Sequence, residues 1–349
     1  MVVRVGVIGV GYMGSAHARV VNRISHEYLG EVRLEYIVDV DYDRAKHVSH
    51  KYGGKPLSRV EDIPRNGIDL AIIATPTEHH YSVFVKLAGL GVEYYLIEKP
   101  VTRSIEEAYR ILETCREMGL KVGVGHIERF NPVIKSLLSH IARGFLGDPL
   151  TTISRRVGPF VARVRNTDVV YDLGIHEIDI SLSIYLKYPV SIRTYTLENI
   201  VSHLTDYALL ILSYPRGFSS IEVNRVTPFK QRIMYLTGTR GVAFVDYMEQ
   251  RLVIHTNEHD INVRVRREEP LYLEDKAVID SVIEGREPPI DIYQAFTSLL
   301  LCEKGLESTR ASSEIVIEDD RDYQLYRDVV REGISRYKRF VESLKTTHL

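Results

Sequence analysis

Val5-Gly6-Val7-Ile8-Gly9-Val10-Gly11-Tyr12-Met13-Gly14 decides the fold of this chain. The apolar run Val3–Ile8 reads as a strand, and a helical pattern opens around Met13–His26. Between them, glycines at 9, 11 and 14 fit G-x-G-x-x-G. Glycines recur by chance, so the pattern alone says little. Placed after a strand and at the opening of a helix, it reads as a dinucleotide-binding turn. The first glycine permits the tight turn and the second lets a pyrophosphate approach the backbone. The third lets helix pack on strand, and the phosphates sit at the helix N-terminus. Gly9, Gly11, Tyr12, Met13 and Gly14 are therefore expected beside a bound dinucleotide.

Working outward, short Val- and Ile-rich runs recur at Leu34–Val38, Leu70–Ala74, Tyr94–Ile97 and Lys121–Val124. Helical patterns fill the gaps at Tyr42–Tyr52, His79–Leu90 and Ile105–Met118. Strands dense in branched apolar residues are those of a parallel sheet covered on both faces, and the alternation implies a doubly wound Rossmann domain. After about His126 the period changes. Helical patterns at Phe130–Ala142 and Val170–Leu186 are followed by seven alternating segments between Ser191 and Arg266, then by helices at Glu274–Glu284, Ile292–Glu307 and Tyr323–Leu344. The alternation implies a largely antiparallel sheet. The expected fold class is α/β, with a Rossmann domain over residues 1–125 and an α+β substrate and oligomerisation domain over 126–349.

Further candidates fall at the carboxyl ends of the strands, where doubly wound sheets bind ligands. Asp39 ends the second strand and can accept hydrogen bonds from both ribose hydroxyls. Its charge would repel a 2′-phosphate, so NAD is expected as the cofactor, although Arg44 is a possible phosphate contact. Thr75 and Pro76 follow the strand at Leu70–Ala74 and are expected to line the cofactor. His79 and His80 open the next helix. Adjacent side chains point to different faces and make a poor metal pair, so a cap or surface role is expected, with His80 at the cofactor edge and no metal site. Glu98-Lys99-Pro100 ends the strand Tyr94–Ile97 and aims Glu98 and Lys99 at the same edge.

The second constellation is Asp172-Leu173-Gly174-Ile175-His176. On a helix Asp172 and His176 are one turn apart on one face, so the carboxylate can orient the imidazole or both can meet one substrate hydroxyl. Taken with Val5–Gly14, Ala74-Thr75-Pro76-Thr77 and Glu98-Lys99-Pro100, this set resembles the Gfo/Idh/MocA oxidoreductase family over nearly the whole chain. The resemblance implies Lys99, Asp172 and His176 as catalytic residues. The family commonly has H-D-I-D where this chain has His176-Glu177-Ile178-Asp179, which leaves the roles of Glu177 and Asp179 open. The chemistry agrees. Loss of hydride from a secondary alcohol needs loss of the hydroxyl proton, and His176, with an ordinary pKa of about 6.5, is the best-poised base. Lys99 would stabilise the developing alkoxide or relay the proton. Asp172 would set the imidazole tautomer or hold a neighbouring hydroxyl.

His126-Ile127-Glu128-Arg129-Phe130-Asn131-Pro132 and the arginine-rich stretch from Arg155 to Arg165 are similar to the nucleotide-sugar branch of that family. That branch oxidises the 3-hydroxyl of a UDP-linked sugar or its uronate, here most simply an N-acetylhexosamine. Arg129 and Asn131 are carried over as substrate contacts. Arg156, Arg163 and Arg165 are weaker candidates for a diphosphate clamp, against a plain solvated basic loop. A dehydrogenase of a free polyol or monosaccharide, a non-catalytic NAD sensor and a tetrapyrrole or imine reductase are the alternatives. Other properties set bounds. The 349 residues are 44% hydrophobic and 26% charged, with a formal net charge of −2, which gives no bulk attraction to nucleic acid or anionic membrane. Cys115 and Cys302 make no disulfide framework, and no apolar run is long enough to span a bilayer. A cytoplasmic protein is expected. The resemblance implies a homodimer or homotetramer, and the stretch 318–349 is expected to support assembly or cover a sheet edge.

Overall fold

The computed structural model describes residues 2–161 and 167–345. They form two compact units, one of Met1–Ile127 with Glu269–Ala295 and one of Glu128–Glu268 with Phe296–Leu349.

The first unit is a six-stranded, wholly parallel sheet of β1 (Val3–Ile8), β2 (Val32–Val38), β3 (Lys55–Leu57), β4 (Leu70–Ile73), β5 (Tyr94–Ile97) and β6 (Lys121–Val124), in the order β3-β2-β1-β4-β5-β6. The strand order reverses between β1 and β4, the position where such sheets open a ligand crevice. Helices α1 (Tyr12–Glu27), α2 (Tyr42–Tyr52), α3 (His80–Gly89) and α4 (Ile105–Met118) connect the strands. Ser104 and Asp41 cap α4 and α2 by accepting backbone N–H groups, and Gly119 ends α4 in the left-handed region. The core joins Val5, Val7, Ile37, Leu70 and Ile72 to Val20 and Ile24 of α1.

Leu271, Val278 and Ile279 belong to the same core. They sit on α7 (Pro270–Glu284), so the chain returns to the first unit for one helix. A single boundary at 125/126 is corrected accordingly. Nothing in the composition of 269–295 distinguishes a helix covering one sheet from a helix covering the other.

The second unit holds a nine-stranded sheet, β14-β13-β12-β11-β7-β10-β9-β8-β15, in which only β7 and β10 pair in parallel. Its strands are β7 (Pro149–Pro159), β8 (Ser191–Glu198), β9 (Thr205–Tyr214), β10 (Gly217–Asn224), β11 (Val226–Gly238), β12 (Gly241–Asp246), β13 (Arg251–Thr256), β14 (Asp260–Val263) and β15 (Ile315–Val316). Helices α5 (Pro132–Ala142), α6 (Ile175–Tyr185) and α9 (Arg321–Ser343) contribute to its cores, as do Leu301 and Cys302 of α8 (Ile292–Arg310). Ile153, Tyr195, Leu197, Phe218 and Tyr235 are exposed on the sheet's strands. No helix among the described residues is long and apolar enough to cross a membrane.

Strand β7 overlaps the stretch read from sequence as a basic loop. On its inward face the buried positions are Thr152, Ser154 and Arg156, while Ile153 between them is exposed; Val157 beside them is buried as well. The hydrophobic alternation is inverted, so the pattern that marks a half-buried strand is missing. Polar pairing replaces it: Thr152 Oγ1 donates to Ser219 Oγ at 2.7 Å.

Candidate functional site

The glycine turn leaves β1 and opens α1. Gly9 adopts φ +81°, and a Cβ there would lie 2.7 Å from the Thr75 backbone. A Cβ on Gly14 would lie 1.8 Å from the Gly9 carbonyl oxygen, so only glycine lets the helix approach the strand. At Gly11 a Cβ would meet nothing within 4 Å. Gly11 is also the N-cap of α1, with no side-chain cap and no acidic residue in the first turn, so no carboxylate there competes with an anion for the positive end of the helix dipole. Tyr12 is exposed beside this space and Met13 is half-buried against the core. This cradle fits a pyrophosphate.

Asp39 is buried at the end of β2. Its Oδ2 accepts the Val10 N–H at 2.9 Å and its Oδ1 the Asp41 N–H at 2.9 Å, tying the glycine turn to the neighbouring strand. Arg44 Nη1 lies 3.1 and 3.2 Å from the two Asp39 oxygens. Arg44 is thus the counter-ion of Asp39 in this structure. Thr75 follows β4, with its Oγ1 buried and without a hydrogen-bond partner among the described residues; Pro76 is exposed beside it.

His80 is neither a cap nor a surface residue. Its ring is buried, with Nε2 2.9 Å from the Thr75 carbonyl and Nδ1 3.2 Å from those of Pro100 and Val101. It clips the turn after β4 to the turn after β5, and burial lowers its pKa. Glu98 and Lys99 leave β5 at this edge, with Glu98 buried and Lys99 half-buried. The Glu98 carboxylate is engaged by its own chain. Oε2 accepts the Lys99 backbone N–H at 3.0 Å and Oε1 lies 3.1 Å from His17 Nε2. His17 was not found from sequence, where it reads as an ordinary position on the buried face of α1.

In the second unit Asp172 and His176 lie across the start of α6. Asp172 is half-buried within a single π-helical turn, Val170–Gly174, and His176 is buried in the first α-helical turn. Such turns are often found at functional sites. The sequence pattern gave a regular helix here and missed the change of pitch. The two carboxylates that follow serve the fold. Glu177 accepts from Arg156 Nε at 2.7 Å and Tyr247 OH at 2.8 Å. Asp179 pairs with Arg129 Nε at 2.8 Å and accepts from Tyr337 OH at 2.7 Å.

Those partners include the residues carried over as substrate contacts, and the structure corrects that placement. Arg129 is fully buried, its guanidinium 4.5 Å from the Tyr337 ring centre. Asn131 caps α5 by accepting the Val133 N–H, and its amide donates to Glu128 Oε2 at 3.0 Å and to the Tyr247 carbonyl at 3.1 Å. Arg156 bridges Glu177 and Glu128, the latter at 2.9 Å. Arg129, Asn131 and Arg156 form an interior network and not an open clamp; burial explains why charged residues there must be paired. Arg163 and Arg165 lie outside the described residues. Sequence reading also passed over Arg232 of β11, directly opposite Arg156 in the ladder. Its side chain is 39% exposed and sits 3.6 Å from Glu128. Its pKa is lowered, by the Arg156 guanidinium first and by burial second, against the opposing charges of Glu128, Glu177 and Asp172.

Lys304 lies within 2.8 Å of carboxylates of Glu307, Asp320 and Asp322, so an ammonium already fills that acidic cluster. Neither cysteine is in a disulfide; Cys302 is buried, and burial pushes the Cys115 thiol up to about 12.

Residues 3–126 match the profile of the Gfo/Idh/MocA oxidoreductase family, an NAD-binding Rossmann fold. The chain is similar to the UDP-N-acetylglucosamine 3-dehydrogenase of Acidithiobacillus ferrooxidans, at 29% identity over 253 residues, 72% of this chain and 76% of that one. A solved structure of that dehydrogenase superposes with a TM-score of 0.81 at 26% identity, covering 89% of this chain and 99% of that one. A scyllo-inositol 2-dehydrogenase (NAD(+)) of Bacillus subtilis is 25% identical over 340 residues, 92% of this chain and 98% of its own.

Proposed function

We propose that the chain is an oxidoreductase of the Gfo/Idh/MocA family, whose NAD-binding Rossmann profile its residues 3–126 match, and that it oxidises the 3-hydroxyl of a UDP-linked N-acetylhexosamine, using Lys99, Asp172 and His176. The observation that carries the reading is the position of Lys99, which leaves β5 at the sheet edge that also holds the glycine turn, Asp39 and Thr75. A cationic side chain at that edge is where an alkoxide forming beside the cofactor needs a hydrogen-bond donor.

The residues divide the work as follows. Gly9, Gly11 and Gly14 with the N-terminus of α1 hold the pyrophosphate. Asp39 takes the adenosine ribose and Thr75 faces the cofactor. Bound NAD supplies the hydride acceptor. His176 takes the hydroxyl proton while Lys99 donates a hydrogen bond to the oxygen as its charge develops. Asp172 sets the imidazole tautomer or holds the adjacent hydroxyl. The nucleotide sugar is favoured over a polyol by the similarity to the UDP-N-acetylglucosamine enzyme in both sequence and fold. A polyol substrate remains the second reading, because the inositol enzyme aligns over 92% of this chain, and Arg129, Asn131 and the clamp candidate Arg156 are interior. The exposed Tyr195, Leu197 and Tyr235 support self-association as a homodimer or homotetramer, which sedimentation would read directly.

Steady-state kinetics with NAD tests the assignment. UDP-N-acetylglucosamine should be turned over in preference to myo-inositol, and NAD should be preferred to NADP by about tenfold. His176→Ala and Lys99→Ala should each lose at least about a hundredfold in kcat while still binding NAD. Near-normal turnover in either variant removes that residue from the mechanism, and turnover of inositol alone transfers the reading to the polyol class.

A further inference from the structure

The first unit holds an ionic group for which the proposed chemistry has no direct use. His17 lies three residues beyond Gly14 on α1 and is fully buried. Its Nδ1 is 2.8 and 3.0 Å from the two oxygens of Asp275 on α7, and its Nε2 is 3.1 Å from Glu98 Oε1. Both ring nitrogens therefore face carboxylates, and only the imidazolium offers a donor to each. Burial opposes that charge, but Asp275 and Glu98 outweigh it and hold the His17 pKa well above its ordinary value. The remaining oxygen of Glu98 accepts the backbone N–H of Lys99.

A buried His with carboxylate partners is usually a satisfied core residue, and a few aliphatic side chains would join three elements with no charge to desolvate. An aliphatic contact, however, cannot hold an oriented carboxylate against the main chain of the residue that follows it. We propose that His17 is a positioning residue for Lys99: held between Asp275 and Glu98, its ring fixes the Glu98 carboxylate so that its second oxygen holds the Lys99 backbone. The glycine turn at the head of α1, the turn after β5 and the returning helix α7 are thereby joined at one side chain. The inference deepens the reading of Lys99 as a reacting residue and rests on it.

The test uses the full-length protein with His17→Gln, Lys99→Ala and the double variant. His17→Gln can still donate to Glu98 but cannot donate to Asp275 at the same time. It is expected to lower kcat at least tenfold with the KM for NAD within threefold, and to speed hydrogen exchange at the Lys99 amide at least tenfold. In the Lys99→Ala background the same substitution should change kcat less than twofold, because the group it positions is gone. An equal tenfold loss in both backgrounds, or a His17→Gln enzyme with kcat and Lys99 exchange unchanged, overturns the inference. Should His17→Gln fail to fold, exchange at Lys99 in Asp275→Asn decides, with an unchanged rate counting against the proposal. Lys99→Ala with wild-type turnover is a different result, which overturns the catalytic reading of Lys99 itself.

Discussion

At the residue scale, the three glycines of the turn do different work, and the structure separates them. Gly14 leaves no room for a Cβ, with the Gly9 carbonyl oxygen 1.8 Å from where it would sit, whereas Gly11 leaves open space. Gly14→Ala should therefore destabilise the fold, by about 1–3 kcal/mol in denaturant unfolding, as overpacked sites do. Gly11→Ala should leave stability unchanged and weaken NAD binding, because its methyl group would enter space reserved for the pyrophosphate. Equal stability loss in both, or unimpaired NAD binding by Gly11→Ala, would show that the turn is not the phosphate cradle. The placement of these glycines in a strand-to-helix turn was legible in the sequence because glycine spacing between a strand and a helix reflects local backbone geometry. Asp39 was equally legible. Its pairing with Arg44, and the carboxylates around His17, were not: they depend on which side chains the tertiary fold brings together, and for Asp275 that partner comes from 258 residues away.

At the scale of elements, α6 is the piece to explain, since it carries His176. Its first residues are fixed by charge as well as by packing. Glu177 is bound to Arg156 of β7 and to Tyr247, and Asp179 to Arg129 and to Tyr337 of α9. The charges are buried, so removing one partner leaves the others uncompensated. Arg156→Met should lower the stability of the protein by about 3–5 kcal/mol, and adding Glu128→Gln and Glu177→Gln should recover part of that loss. Denaturant melts of the single and triple variants check this; a neutral Arg156→Met would mean the network contributes nothing to holding α6. The same network explains which elements the sequence revealed. Most strands and helices with apolar faces were found within a few residues of their true bounds, but β11 begins at Val226, seven residues before its apolar alternation shows at Ile233. Strand β7 was missed because its buried face is Thr152, Ser154 and Arg156, and the three-residue β3 because it is too short to show a period. The interior arginines looked like ligand contacts because charge in a sequence does not reveal whether its partner is a phosphate or a glutamate.

For the whole molecule, a doubly wound parallel sheet and a mostly antiparallel second sheet followed from the two hydrophobic periods, whereas the strand order β3-β2-β1-β4-β5-β6 came from the structure. The return of α7 to the first unit did not, because an amphipathic helix does not encode which sheet it covers. The central claim is hydride transfer from a sugar carbon to NAD, and isotope transfer tests it most directly. UDP-N-acetylglucosamine carrying deuterium at C3 would be incubated with the enzyme and NAD, and the nicotinamide then examined by mass spectrometry. The expected result is deuterium in the reduced nicotinamide, strongly diminished in Lys99→Ala and His176→Ala. Reduced nicotinamide that forms without deuterium, or the same labelling in both variants as in the wild type, would contradict it.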